Sequence, residues 1–129
     1  MDVKLTDLGI AAVEKNPACV IDTMALGQIP RLSTTHENAN TVSCIAAEQI
    51  VAAGRRFHEV YVAPQDTAEN VRRKTKDIKE DEVVILVHHQ NINRSKAKTE
   101  LYAPDTWAEI TNILSCYQGR LVNVLLEKN

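Results

Sequence analysis

The sequence predicts an α/β protein, a small three-layer α/β sandwich of one domain, residues 1–129, around a mostly parallel sheet of four or five strands. Three observations lead there. Amphipathic helical stretches alternate with short apolar runs along the chain. Val83-Val84-Ile85-Leu86-Val87 is an unbroken aliphatic run too short for a helix of its own, which fits a central strand covered on both faces. Apolar residues at 44% and charged residues at 25% match an ordinary globular chain, so neither disorder nor a fibrous architecture is favoured.

The elements follow in order. Leu5, Leu8 and Ala12 recur at helical spacing, and Asn16-Pro17 ends that helix because a residue before proline is pushed out of the α region. Ala18 to Ile21 reads as a strand running into Asp22-Thr23. Thr34-x-x-Glu37 is a capping-box signature for a second helix, with Ala39, Val42, Ala46, Ile50 and Ala53 on one face and Gly54 as its left-handed cap. Val60 to Ala63 is rich in β-formers and bounded by Pro64. Asp66-x-x-Glu69 then opens a helix that turns Ala68, Val71, Thr75 and Ile78 inward and Arg72, Arg73 and Lys76 outward. After the aliphatic run, Thr99 to Ala103 reads as an edge strand or a loop. Pro104-Asp105-Thr106-x-x-Glu109 caps a last helix with Trp107, Ile110, Leu114 and Tyr117 on one stripe, and Gly119 stops it. Leu121 to Leu126 is the final strand, either parallel or paired antiparallel at an edge. Strands joined by single helices are parallel, with right-handed crossovers.

No apolar stretch approaches the roughly 20 residues of a membrane span, and Met1-Asp2-Val3-Lys4 lacks the basic-then-apolar layout of a signal peptide. The expected location is cytoplasmic, with no membrane partner. Cys19, Cys44 and Cys116 are odd in number, far apart and set in apolar patterns, so buried reduced thiols are expected rather than disulfides. A net charge of -2 provides no global attraction for nucleic acid. Residues 54–98 nevertheless hold ten basic against seven acidic side chains, so RNA is kept as a possible partner through Arg55, Arg56, Arg72, Arg73 and Lys74. A homo-oligomer is expected because the core is small and Trp107 or Tyr117 is only partly covered.

In open α/β sheets ligands bind beyond the carboxyl ends of the strands. Two donor-rich segments, Pro30 to His36 and His88 to Lys96, read as the places where two strands run out. His36 falls in the first turn of a helix, whose free N–H groups favour anions, and Arg31, Ser33, Thr34 and Thr35 add a guanidinium and hydroxyls upstream. His88 and His89 leave an extended chain on opposite faces, so one of them could join His36 or Asp22. Donors outnumber carboxylates in both segments. The reading is a small cytosolic binding protein for an anionic, nucleotide-like or phosphorylated ligand, with Arg31, Ser33, Thr34, His36, His88, Asn91, Asn93, Arg94 and Lys96 as candidate ligand-binding residues. Neither a glycine-rich phosphate loop nor H-E-x-x-H is present, so no cofactor and no metal are expected. The alternatives are a hydrolase or transferase using Asp22 and a histidine, and an RNA or protein interaction module.

Two local resemblances bear on those alternatives. Val20-Ile21-Asp22-Thr23-x-x-Leu26 resembles the opening motif of PIN-domain nucleases, which implies Asp22 as a metal-binding carboxylate. Of the further carboxylates such a centre needs, only Glu37, Glu48 and Asp66 are at all placed to help, and no late aspartate follows the Val83 to Val87 strand. Ala46 to Val87 resembles the α/β/α RNA-binding domains of the ribosomal and kink-turn-binding superfamily, and the substrate-binding domains of some RNA ribose methyltransferases. The Gly-x-Asn-Glu signature through which kink-turn proteins contact RNA is replaced here by Thr41-Val42-Ser43-Cys44.

Overall fold

The computed structural model describes residues 19–22, 31–89 and 101–127. Within them the chain runs β1 (Cys19–Asp22), β2 (Arg31–Thr35), a 3-10 turn (His36–Asn38), α1 (Ala39–Ala52), β3 (Arg56–Tyr61), α2 (Ala68–Thr75), β4 (Glu82–His88), α3 (Pro104–Cys116) and β5 (Leu121–Glu127). The strands form one sheet in the order β1-β2-β5-β4-β3. The β2, β5, β4 and β3 strands are mutually parallel, and β1 pairs antiparallel with β2. The helix expected in the first fifteen residues lies outside the described residues.

Helix placement follows from the path of the chain. From β2 it crosses to β3 at the far edge and then returns through β4 to β5, which reverses the direction of travel along the sheet. Crossovers of one hand taken in opposite directions place their helices on opposite faces. Strand alternation then sorts the core. Leu32, Val83, Ile85, Val87, Val122, Val124 and Leu126 meet Val42, Ala46 and Ile50 of α1. Val60, Val62, Val84, Leu86 and Leu121 meet Val71 of α2, Ile110, Ile113 and Leu114 of α3, and Tyr102. The three layers and the buried β4 strand agree with the sequence reading.

Several local expectations are corrected. Arg31 to Thr35 is not a loop beyond a strand but β2 itself, paired on both sides by β1 and β5. Backbone pairing on two edges holds a segment whose only large apolar side chain, Leu32, is fully buried. Thr34 is therefore a buried strand residue and not a helix cap. Asn38 Nδ2 instead donates to Thr35 Oγ1 at 2.9 Å across the turn before α1. The cap of α2 is Thr67, whose Oγ1 accepts from Asn70 N–H at 3.2 Å, and α2 ends at Thr75, short of Ile78. Asp66, the expected cap, accepts from Ala63 N–H at 2.9 Å and from Lys74 Nζ at 2.6 Å. The β5 strand is parallel and central rather than an antiparallel edge; β1 takes that role. Residues 101–103 form a bend with no strand pairing. Cys44 and Cys116 are exposed free thiols, because each falls on the solvent side of its helix.

Gly54 (φ +78°) and Gly119 (φ +98°) occupy the left-handed region after α1 and α3, as the helix-stop reading requires. At the outer strand, Lys74 Nζ donates to the Tyr61 carbonyl at 2.7 Å and so covers part of the sheet edge with a charge. Among the described residues no helix is long and apolar enough to cross a membrane.

Candidate functional site

The parallel strands end at Thr35, Tyr61, His88 and Glu127, so their carboxyl ends share one edge of the sheet. On the α1 side of that edge lies a cleft of about 240 Å³ lined by His36, Ala39, Asn40, Ser43, Glu59, Tyr61, Val87 and Leu126. The start of α1 forms one wall, because the chain turns from β2 through the 3-10 segment directly over the sheet. Glu59 and Tyr61 reach the other wall because they alternate with the buried Val60.

Three rings cluster at the rim. His36 stacks on His89, with centroids 5.5 Å apart and planes 24° from parallel. The ring of Tyr61 meets His89 edge-on at 6.1 Å, and Tyr61 Oη lies 3.2 Å from His89 Nε2. Partial burial, and secondarily the neighbouring His36, hold His89 below the usual histidine value. A neutral imidazole can accept the tyrosine hydroxyl proton in a hydrogen bond.

Behind the rim the strand ends are tied together. Tyr102 Oη donates to the Val62 carbonyl at 2.9 Å and accepts from His89 N–H at 2.8 Å, bridging the ends of β3 and β4. Burial pushes the Tyr102 hydroxyl up to about 12, against the opposing pull of the His89 N–H. Thr106 Oγ1 donates to the Asp66 carbonyl at 2.8 Å, which fastens the start of α3 to the loop after β3. Partial burial pushes the Asp66 carboxyl upward, but the hydrogen bonds from Lys74 and Ala63 outweigh it and leave the group below its ordinary value.

The structure distributes the expected site residues unevenly. His36 lines the cleft. His88 does not: it is fully buried on the α2/α3 face, where its Nε2 lies 2.8 Å from Asn123 Oδ1. The histidine that joins His36 is His89. Thr34 is buried on the α1 side of β2, and Ser33 is half-buried on the opposite face. Arg31 begins β2 opposite Asn123, so its backbone sits about 13 Å of strand length from Thr35. Asn91, Asn93, Arg94 and Lys96 lie outside the described residues. Asn40, Ser43, Glu59 and Tyr61 line the cleft, and His89 sits against His36 and Tyr61 at its rim, without having been singled out as ligand-binding residues. The signal for Glu59 and Tyr61 was their alternation with Val60; for His89 it was its parity with Ile85 and Val87.

Asp22 pairs with Arg31, at the amino end of β2, so the structure does not bring it to the histidines at the other end of the sheet. Among the described residues no three His, Cys, Asp or Glu side chains converge as a metal site. The basic residues are largely engaged: Arg56 with Asp81, Arg72 with Glu109, Arg73 with Glu69 and Lys74 with Asp66. No protein-family model, no curated protein and no solved structure matches this chain.

Proposed function

We propose that the protein binds a small nucleotide-like or phosphorylated ligand in the cleft at the carboxyl ends of its parallel strands. The observation that carries this reading is the ring cluster of His36, Tyr61 and His89 at the rim of a cleft whose lining mixes polar and apolar side chains. Flat rings offer stacking surface to a planar group. The cleft is smaller than the roughly 300–1,000 Å³ of sites for drug-sized ligands, so it suits one ring system rather than a dinucleotide. The lining contains no Lys or Arg and does contain Glu59, so the anionic part of the ligand belongs outside the cleft. The sequence after His89 supplies Asn91, Asn93, Arg94 and Lys96 as donors for it.

Titration calorimetry with guanosine monophosphate, adenosine monophosphate and ribose 5-phosphate tests the reading. Binding of at least one, weakened about tenfold or more by Tyr61→Ala as expected for a lost stacking surface, supports it. Heat-silent titrations with all three, confirmed by an unchanged melting temperature, would remove it. The same reading places the protein in the cytoplasm as a homo-oligomer, for which exposed Val51, Phe57 and Leu101 supply apolar surface. A monomer mass by light scattering at micromolar concentration would remove the oligomer from it.

A further inference from the structure

Within that cleft one carboxylate has no counterpart among the described residues. Glu59 is exposed on β3, lines the cleft, and has no hydrogen bond or ion pair among the described residues. The other polar side chains of the lining are neutral or histidine: His36, Asn40, Ser43 and Tyr61. A carboxylate offers two acceptor oxygens side by side and no donor, so its best partner is a flat group with two adjacent N–H donors. We propose, building on the nucleotide-like reading above, that the cleft selects a guanine-type base, with Glu59 accepting from its ring N–H and its exocyclic amine.

The chemistry of the other bases separates them. Adenine and cytosine each set an amino donor beside a ring nitrogen lone pair on the corresponding edge, and that lone pair would face the second carboxylate oxygen. Uracil sets its one N–H between two carbonyls, which repel the carboxylate on either side. Only guanine presents two neighbouring donors there. Asn40 lines the same cleft, and its side-chain amide can donate to the guanine carbonyl. Tyr61, 39% exposed, supplies the stacking surface beside Glu59.

The experiment compares guanosine, adenosine, cytidine and uridine monophosphates with ribose 5-phosphate on the wild-type chain and on Glu59→Gln, with melting temperature as the check on folding. Guanosine monophosphate should bind at least tenfold more tightly than the other nucleotides, and Glu59→Gln should weaken it about tenfold and narrow the gap between bases. Equal binding of the four nucleotides, or an unchanged guanine preference in Glu59→Gln, overturns the role of Glu59 and leaves the nucleotide-like reading intact. Binding of ribose 5-phosphate as tight as that of the nucleotides also overturns it, since the base then contributes nothing. If neither the nucleotides nor ribose 5-phosphate bind, the reading beneath it fails as well.

Discussion

His88 and His89 are neighbours in sequence and belong to two different regions. His88 points into the closed α2/α3 face, fully buried and held by Asn123, while His89 points to the open α1 face and stacks on His36 at the rim of the cleft. Peptide geometry alone separates them, because successive side chains of a strand leave on opposite faces. The contrast extends to the surrounding structure. On the α2/α3 face Leu86, Leu121, Ile110 and Leu114 are fully buried, and Tyr102 is buried beside the strand ends. On the α1 face Val42, Ala46 and Ile50 pack against the sheet, and at the strand ends a cleft opens where Val87 and Leu126 share the lining with His36, Asn40, Ser43, Glu59 and Tyr61. Both faces bury a core against the sheet, and the α1 face also opens into a cleft at the strand ends.

The largest test of this division is in the closed core. Leu86→Ala removes a fully buried side chain between the sheet and its helices and should cost about 2–5 kcal/mol in denaturant unfolding. A loss below about 1 kcal/mol would show that the α2/α3 face is not tightly packed.

A second test sets the two histidines against each other. His88→Leu leaves Asn123 Oδ1 buried without the imidazole and should destabilise by about 1–3 kcal/mol while leaving ligand binding unchanged. His89→Leu, at a half-buried rim position, should change stability less and binding more. Equal stability losses for the two variants would erase the distinction between the faces.

Tyr102 joins the two regions, and its hydroxyl makes two hydrogen bonds that phenylalanine cannot make. Tyr102→Phe should cost about 1–2 kcal/mol at neutral pH. The hydroxyl also sets an alkaline limit. Its folded-state value of about 12 lies above its ordinary value of 10.0, so the unfolded chain loses its proton first. Stability from this group is therefore full below pH 10 and is lost as pH rises towards 12, by up to about 3 kcal/mol. Unfolding curves for the wild type and Tyr102→Phe between those two pH values should converge; parallel curves would contradict the buried, hydrogen-bonded hydroxyl.

The smallest effect is on the acid side, at the rim. His89 is held below its ordinary value of 6.5 by partial burial and by His36. The unfolded chain therefore takes up a proton first, and the stability associated with His89 is full above pH 6.5 and declines as pH falls below it. His36→Gln should raise the His89 titration midpoint measured by NMR. An unmoved midpoint would mean that the stacked rings do not sense each other's charge.

Particular residues show how far the sequence reaches. Val83 to Val87 declared a buried strand because five aliphatic side chains in succession leave neither face to water. Gly54 and Gly119 marked helix ends because a left-handed residue there is costly for any side chain bearing a Cβ. His36 was legible as a residue at a helix start, and the opposite directions of His88 and His89 followed from strand geometry.

What the sequence determined by itself was local: the aliphatic β4 strand, the glycine stops after α1 and α3, and which strand neighbours must diverge. Tertiary structure alone decided that Arg31 to Thr35 is a strand, since its pairing is supplied by β1 and β5 from distant parts of the chain. It also decided that β5 is central, that Cys44 and Cys116 face solvent, and that His89 rather than His88 meets His36. Alternation fixes that two side chains point apart but not which face each one receives. That choice is made when helices pack on the sheet, because α2 and α3 bury the ends of the strands on their face, and α1 leaves a cleft open on its own.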